Sequence, residues 1–418
     1  MKTFLNSVSC SAVMVLILSA NTLSAALGGG GPLNPPGPPA VMMKTLQEIE
    51  PRHLIVSLPH TVTAPGSYYI ATDLTGVAGQ NGITIAADNV TLDLGGWSLI
   101  GVAGSLDGIF STNHHYLVVR HGNVRGWGGD GIDFTQAGAC RIEDVTLHSN
   151  AGIGLIVNTD SHVNHCIAQA NGQEGIVTSN GVEVNDCVAG INGGHGIACG
   201  TSSLIRGCYS AGNIGAGIIG GLVESLTVLD CVVNDNKAGG IVAPRRSLVR
   251  NCQAWRNQFS GIFADEGSTI IGCTSGTNAL HGISTGPGST VTSSSASRNV
   301  GSGFSLGAHS SITGCTALSN AGDGIIVSNK CVVTANTVSG HLTGAGIHAI
   351  EHRNRIEGNA ADENRRGYHI EGRNNLVVKN SAADNLVDYD IAPGNKDALV
   401  ISPGSAFVNN EPWANFRH

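Results

Sequence analysis

Cys252-Gln253-Ala254-Trp255-Arg256-Asn257-Gln258-Phe259-Ser260-Gly261-Ile262 is followed, 21 residues later, by Cys273-Thr274-Ser275-Gly276-Thr277-Asn278-Ala279-Leu280-His281-Gly282-Ile283. The shared frame is a Cys, a small residue two further on, an Asn, a short turn, and Gly-Ile. Twelve stretches carry all or part of it. Their Gly column reads Gly131, Gly152, Gly175, Gly196, Gly217, Gly240, Gly261, Gly282, Gly303, Gly324, Gly346 and Gly367, mostly at intervals of 21 with a few of 22 or 23. A chain that repeats at this period describes a solenoid, each repeat one coil stacked on the next.

Within a repeat the apolar runs are short and alternate as strands do, as in Gly324-Ile325-Ile326-Val327 and Cys331-Val332-Val333-Thr334. Three strands at about 3.3 Å per residue, with turns, use up roughly 21 residues around a triangular section. Stacked coils then pair as parallel strands about 4.8 Å apart, and equivalent positions form columns. One column holds Cys166, Cys187, Cys208, Cys231, Cys252, Cys273 and Cys315, with Ser294 in the gap. A second runs from Asn150 through Asn171, Asn192 and Asn213 to Asn364 and Asn385. Asn tolerates the left-handed backbone of a tight turn, and stacked amides bond from coil to coil. Gly before Ile admits the turn into the strand. The Ile column (Ile132, Ile153, Ile176, Ile197) is the expected inward face, and an aromatic content of 4 % suits a narrow core.

From about Asn81 to Asp390 these repeats resemble the right-handed parallel β-helix proteins of the pectate-lyase-like superfamily. The resemblance implies an all-β solenoid of about 14 coils. It names no activity, because that superfamily includes lyases, hydrolases, epimerases, tailspikes and adhesins.

Residues 1–26 read as a secretory signal: Lys2, the apolar Val13–Leu18, then Ser24-Ala25-Ala26. The apolar run is too short for a membrane span. A Gly/Pro-rich linker (27–40) and an N-terminal cap (41–80) follow, the cap holding a short helix over Met42–Ile49. The β-helix occupies 81–395 and a C-terminal cap 396–418, with Phe407, Val408, Trp413 and Phe416. The chain is expected to be secreted, periplasmic or at the cell surface. A net charge of −8 with 12 % charged residues excludes a strongly basic nucleic-acid surface. Buried free thiols are the preferred reading of the Cys ladder, with coil-to-coil disulfides as the alternative. One Cys per coil with no His beside it makes no tetrahedral metal set.

Two groups of residues carry the chemistry. Two places after the Gly, most coils show Val177, Ala198, Ile219, Val242 or Phe263, whereas the last three show His348, His369 and Asp390. These are the candidate catalytic and metal-binding residues, with Glu351, Arg353 and Arg366 as candidate substrate contacts. The second group is Asp107 and Asp130, each before a Gly-Ile, with Trp127 placed to stack on a sugar. Asn158-Thr159-Asp160 and Gly194-His195-Gly196 echo polygalacturonase motifs but lack the paired Asp and the Arg-Ile-Lys that should accompany them. The apolar stripe Val177, Ile219, Val242 and Phe263 is expected to be covered by the tail, a loop or a second molecule. No cofactor is required. The reading is a secreted protein that binds or processes polysaccharide on its outer face, with a non-enzymatic surface or matrix protein as the alternative.

Overall fold

The computed structural model describes residues 50–221, 224–402, 404 and 411–418. The expected signal, linker and capping helix lie outside them, as do Phe407 and Val408. Among the described residues every regular element is a strand.

One coil shows the plan. Ile262–Ala264 lies on the first wall, Thr269–Ile271 on the second and Thr274–Gly276 on the third, before Ile283–Thr285 begins the next coil. Ile262 pairs with Ile283 and Ala264 with Thr285, in parallel and without slippage. The first wall is a 16-stranded sheet, and the second and third walls form one folded sheet of 32 strands. The count exceeds the expected 14 because His53–Ile55 and His60–Val62 already stack in register on the strands that follow. Fifteen steps of about 4.8 Å make the first wall roughly 72 Å long. At the far end Asn415–Arg417 continues the third wall against Ser381 and Ala382.

Alternation places Ile, Val, Leu, Cys and Ala of all three walls in a single core. The Asn column is buried inside the corner, and its backbone is not left-handed. The left-handed residue is the one before it: Arg256 (φ 54°) before Asn257, and Thr277 (φ 56°) before Asn278. The reason is hydrogen bonding. Asn278 Oδ1 accepts both the backbone N–H and the side-chain Nδ2 of Asn257, each at 3.0 Å. Asn257 Nδ2 also donates to the Val233 carbonyl at 3.2 Å. A buried amide satisfied in this way contributes on the order of 1 kcal/mol per bond, whereas an orphaned one costs more.

The same ladder explains the Gly column. These glycines are not at positive φ; a Cβ on Gly240 would lie 2.4 Å from the Gly261 carbonyl and 2.8 Å from Asn257 Nδ2. The turn therefore needs the missing side chain, not the freedom of φ. The structure also corrects one rung. Ile132 pairs with Leu155, so Gly154 and not Gly152 stands in the column, and half-exposed Ile153 belongs to the turn.

Two further ladders line the other corners, and both change residue along the stack. Cys315 N–H donates to Asn336 Oδ1 at 2.9 Å, and Asn336, Asn359, Asn380 and Asn415 continue that column. Cys331 N–H donates to Asn354 Oδ1 at 2.7 Å, continued by Asn375 and Asn395. All ten described cysteines are buried free thiols. Ladder thiols donate to a carbonyl two residues back, as Cys252 does to Arg250 at 3.2 Å.

Candidate functional site

The strands Ala345–Ala349, Arg366–Ile370 and Val387–Ile391 are adjacent on the first wall, and their register aligns His348 with His369 and His369 with Asp390. Their inward neighbours fix the outward direction: Ile347 and Tyr368 are fully buried. Strand spacing sets the rings face to face, with centroids 4.5 Å apart and planes 16° from parallel. The column is therefore one outward-facing cluster, held without any long loop.

Three neighbours complete it. Asp323 Oδ2 lies 3.0 Å from His348 Nδ1, and its Oδ1 accepts the Ala345 N–H at 2.7 Å. Glu371, at the corner after its strand, brings Oε1 within 3.3 Å of His348 Nε2 and 3.5 Å of His369 Nε2. Arg366 Nε holds Asp390 Oδ2 at 3.0 Å, and that oxygen lies 3.6 Å from His369 Nε2.

Environment separates the two imidazoles. Burial pulls His348 down, but the Asp323 hydrogen bond and charge, with Glu371, outweigh it and leave its pKa above the ordinary value. His369 is held below it by burial and by the charges of His348 and Arg366. Burial raises Asp323, yet its bonds to His348 and Ala345 keep it below the usual carboxylate range. Such a pair can divide a proton unequally or offer two imidazole nitrogens to a cation.

A family model described as "Right handed beta helix region" matches residues 107–247. The match covers about a third of the chain, and the 21-residue ladder and 16 stacked coils carry the same fold beyond it. The chain is a right-handed parallel β-helix repeat protein. No curated protein matches its sequence. Among solved structures, the Dettilon tailspike protein aligns at 15 % identity over 70 % of this chain and 58 % of its own, with a TM-score of 0.40. The chain thus spans rather more than half of that protein's length. An Azotobacter vinelandii mannuronan C-5 epimerase A-module aligns at 14 % identity over 87 % of each chain, with a TM-score of 0.27. A pectate lyase aligns at 15 % identity over 62 % of this chain and 72 % of its own, with a TM-score of 0.29.

The other sequence-derived candidates stand apart from this end of the β-helix. Asp107 and Asp130 lie on coils about ten steps away, roughly 48 Å. They act as rungs: Asp107 Oδ1 accepts the Asp130 N–H at 2.7 Å, and Asp130 Oδ1 accepts the Ile153 N–H at 2.6 Å. His195 and His281 do the same for Ala216 and Ser302, which gives the polygalacturonase-like His an ordinary structural task. Trp127 cannot stack on a sugar: it is 1 % exposed, its Nε1–H donates to the Leu99 carbonyl, and Gly76, Gly82 and Gly108 pack against its ring. Glu351 accepts a bond from Asn329, and Arg353 is exposed at a corner; among the described residues neither hydrogen-bonds or ion-pairs with His348 or His369.

Sequence reasoning singled out neither Glu371 nor Asp323. Asp323 stands 25 residues before His348, in the turn column, so its partnership was hidden by reading one column at a time. Elsewhere Asp93, His121, Asp144, His165 and Asp186 alternate along one corner at 3.4–3.9 Å. Most of these side chains are about half exposed, and ion pairs of that kind contribute little. The described tail joins the third wall, so it does not cover the apolar stripe; Phe263 remains 36 % exposed.

Proposed function

We propose that this β-helix binds polysaccharide along the outer face of its first wall and acts after export from the cell. The observation that carries the reading is the single outward column of that wall. It runs from Val177, Ile219, Val242 and Phe263 to His348, His369 and Asp390 on strands in strict register. Around Phe263 it forms a shallow depression of about 260 Å³, flanked by Arg245 and Asp265. Flat apolar surface next to charged hydrogen-bonding groups suits sugar rings, whose faces are apolar and whose edges are polar.

Among the described residues the near-uniform coils raise no wall around this face, which favours binding over turnover. The non-enzymatic reading, a surface or matrix protein, uses the same face. The test is a panel of neutral and uronic-acid polysaccharides, scored for retention of the chain and for new reducing or unsaturated ends. Retention that weakens in Phe263→Ala and in His348→Ala/His369→Ala supports the proposal. Retention of no polysaccharide, or equal retention by both variants, overturns it.

A further inference from the structure

We propose that His348, His369 and Glu371 bind one divalent first-row transition ion, with zinc as the representative, and that Asp323 positions His348 for it. The inference shares residues with the binding face above but is tested separately from it.

The distances have the right size. A tetrahedral ion with nitrogen and oxygen ligands at about 2.1 Å sets neighbouring ligand atoms about 3.4 Å apart. Glu371 Oε1 lies 3.3 Å from His348 Nε2 and 3.5 Å from His369 Nε2. Among the described residues this is the one group in which three such side chains place ligand atoms within 4.8 Å of one another.

A second observation is independent of spacing. His348 Nε2 is buried and makes no hydrogen bond, even though Glu371 is near, because the contact lacks hydrogen-bond geometry. A buried orphan nitrogen is costly unless something else satisfies it. Asp323 accepts the proton on Nδ1 at 3.0 Å, so the lone pair of the neutral ring sits on Nε2, facing Glu371. A carboxylate behind an imidazole is the arrangement that orients metal-bound histidines and strengthens their donation.

Charge points the same way. With both rings neutral, Asp323, Glu371 and Asp390 face only one guanidinium, Arg366, so the cluster carries a surplus of two negative charges. Arg366 is tied to Asp390 at 3.0 Å, and its contact with His369 Nδ1 is looser, at 3.4 Å. Ligation through His369 Nε2 places a proton on Nδ1, so Arg366 keeps Asp390 and gives up the weaker contact. Asp390 then stays a partner of Arg366 and not a ligand. Two imidazoles and one carboxylate, with an open position, suit zinc, cobalt or ferrous iron and not calcium or magnesium, which take oxygen ligands.

The experiment is titration of the chelator-stripped, untagged full chain with zinc and with cobalt, read by calorimetry and by the cobalt ligand-field spectrum. One ion per chain with nitrogen ligation is expected, and calcium should not compete. Glu371→Gln should weaken binding at least about tenfold, and Asp323→Asn about 10–100-fold, the usual cost of losing a partner behind a ligand. Asp390→Asn should change it less than Glu371→Gln does. Circular dichroism confirms that each variant is folded; Glu371→Gln, at a half-exposed corner, is the safest of them. No ion bound, or equal binding by His348→Ala/His369→Ala, overturns the proposal; the second result moves the ion elsewhere, for example to the His121–His165 corner. Polysaccharide retention by the stripped chain shows whether the binding face survives the loss of the metal proposal.

Discussion

His341 stands as a rung in the asparagine ladder: its Nε2 lies 3.2 Å from Nδ2 of Asn320, and the Asn364 amide oxygen lies 2.8 Å from its Nδ1. The ring is fully buried. Asn320 Nδ2 can only donate and Asn364 Oδ1 only accept, so the ring is neutral with its proton on Nδ1. Protonating Nε2 would turn an acceptor into a donor facing another donor.

Acid sensitivity follows. Burial, only partly offset by the Asn364 hydrogen bond, pushes the His341 pKa below its ordinary value of 6.5. Its contribution to stability is therefore complete above pH 6.5 and is lost as the pH falls from there through the lower folded value. His341→Asn restores the ladder chemistry. The urea midpoint of the variant should fall less than that of the parent between pH 7 and 5. Equal falls would remove His341 as the cause.

Asp130 gives the opposite slope. Burial, outweighing its bond to the Ile153 N–H, and the charges of Asp107, Asp133 and Glu174 raise it to about 6. A carboxyl raised in the folded state binds its proton more tightly there than in the unfolded chain. Stability therefore falls as the pH rises from about 4 to 6, and the penalty remains above that range. Asp130→Asn keeps an acceptor for Ile153 without the charge. It should gain about 1–2 kcal/mol at pH 7.5 and nothing at pH 4, measured by urea unfolding at both pH values.

The Gly column should resist substitution for a steric reason. A Cβ on Gly303 would lie 2.7 Å from the Gly324 carbonyl and 2.8 Å from Asn320 Nδ2. Gly303→Ala is expected to cost about 3 kcal/mol, the upper end of overpacking costs. Gly288 has φ +67° and open space around it, so Gly288→Ala should cost only about 1 kcal/mol of backbone strain. A smaller loss at Gly303 than at Gly288 would refute this account of the column.

Native thiols should be inert. Burial raises Cys140 to about 11 and Cys199 to about 12, and all ten described cysteines are buried and free. A disulfide-exchange reagent at pH 8 should label few of them in the native chain and most of them after unfolding without reductant. Labelling of the unfolded chain that appears only after reduction would restore the disulfide alternative.

The sequence by itself determined the coil. A 21-residue recurrence of Cys, Asn and Gly-Ile constrains chain path, register and inward face together, because one misplaced residue would turn every strand over. It also set His348, His369 and Asp390 in one column, since parallel in-register pairing turns sequence spacing into vertical neighbours. Only the tertiary structure decided what stands beside that column. Asp323 and Glu371 reach the histidines from corners, where side chains lean sideways and period alone fixes no direction. The same limit misplaced Gly152 for Gly154 and read Trp127 as a surface ring, because turns of unequal length break the count where the packing does not. Columns within a wall follow from strand periodicity; contacts between a wall and its corners depend on three-dimensional packing.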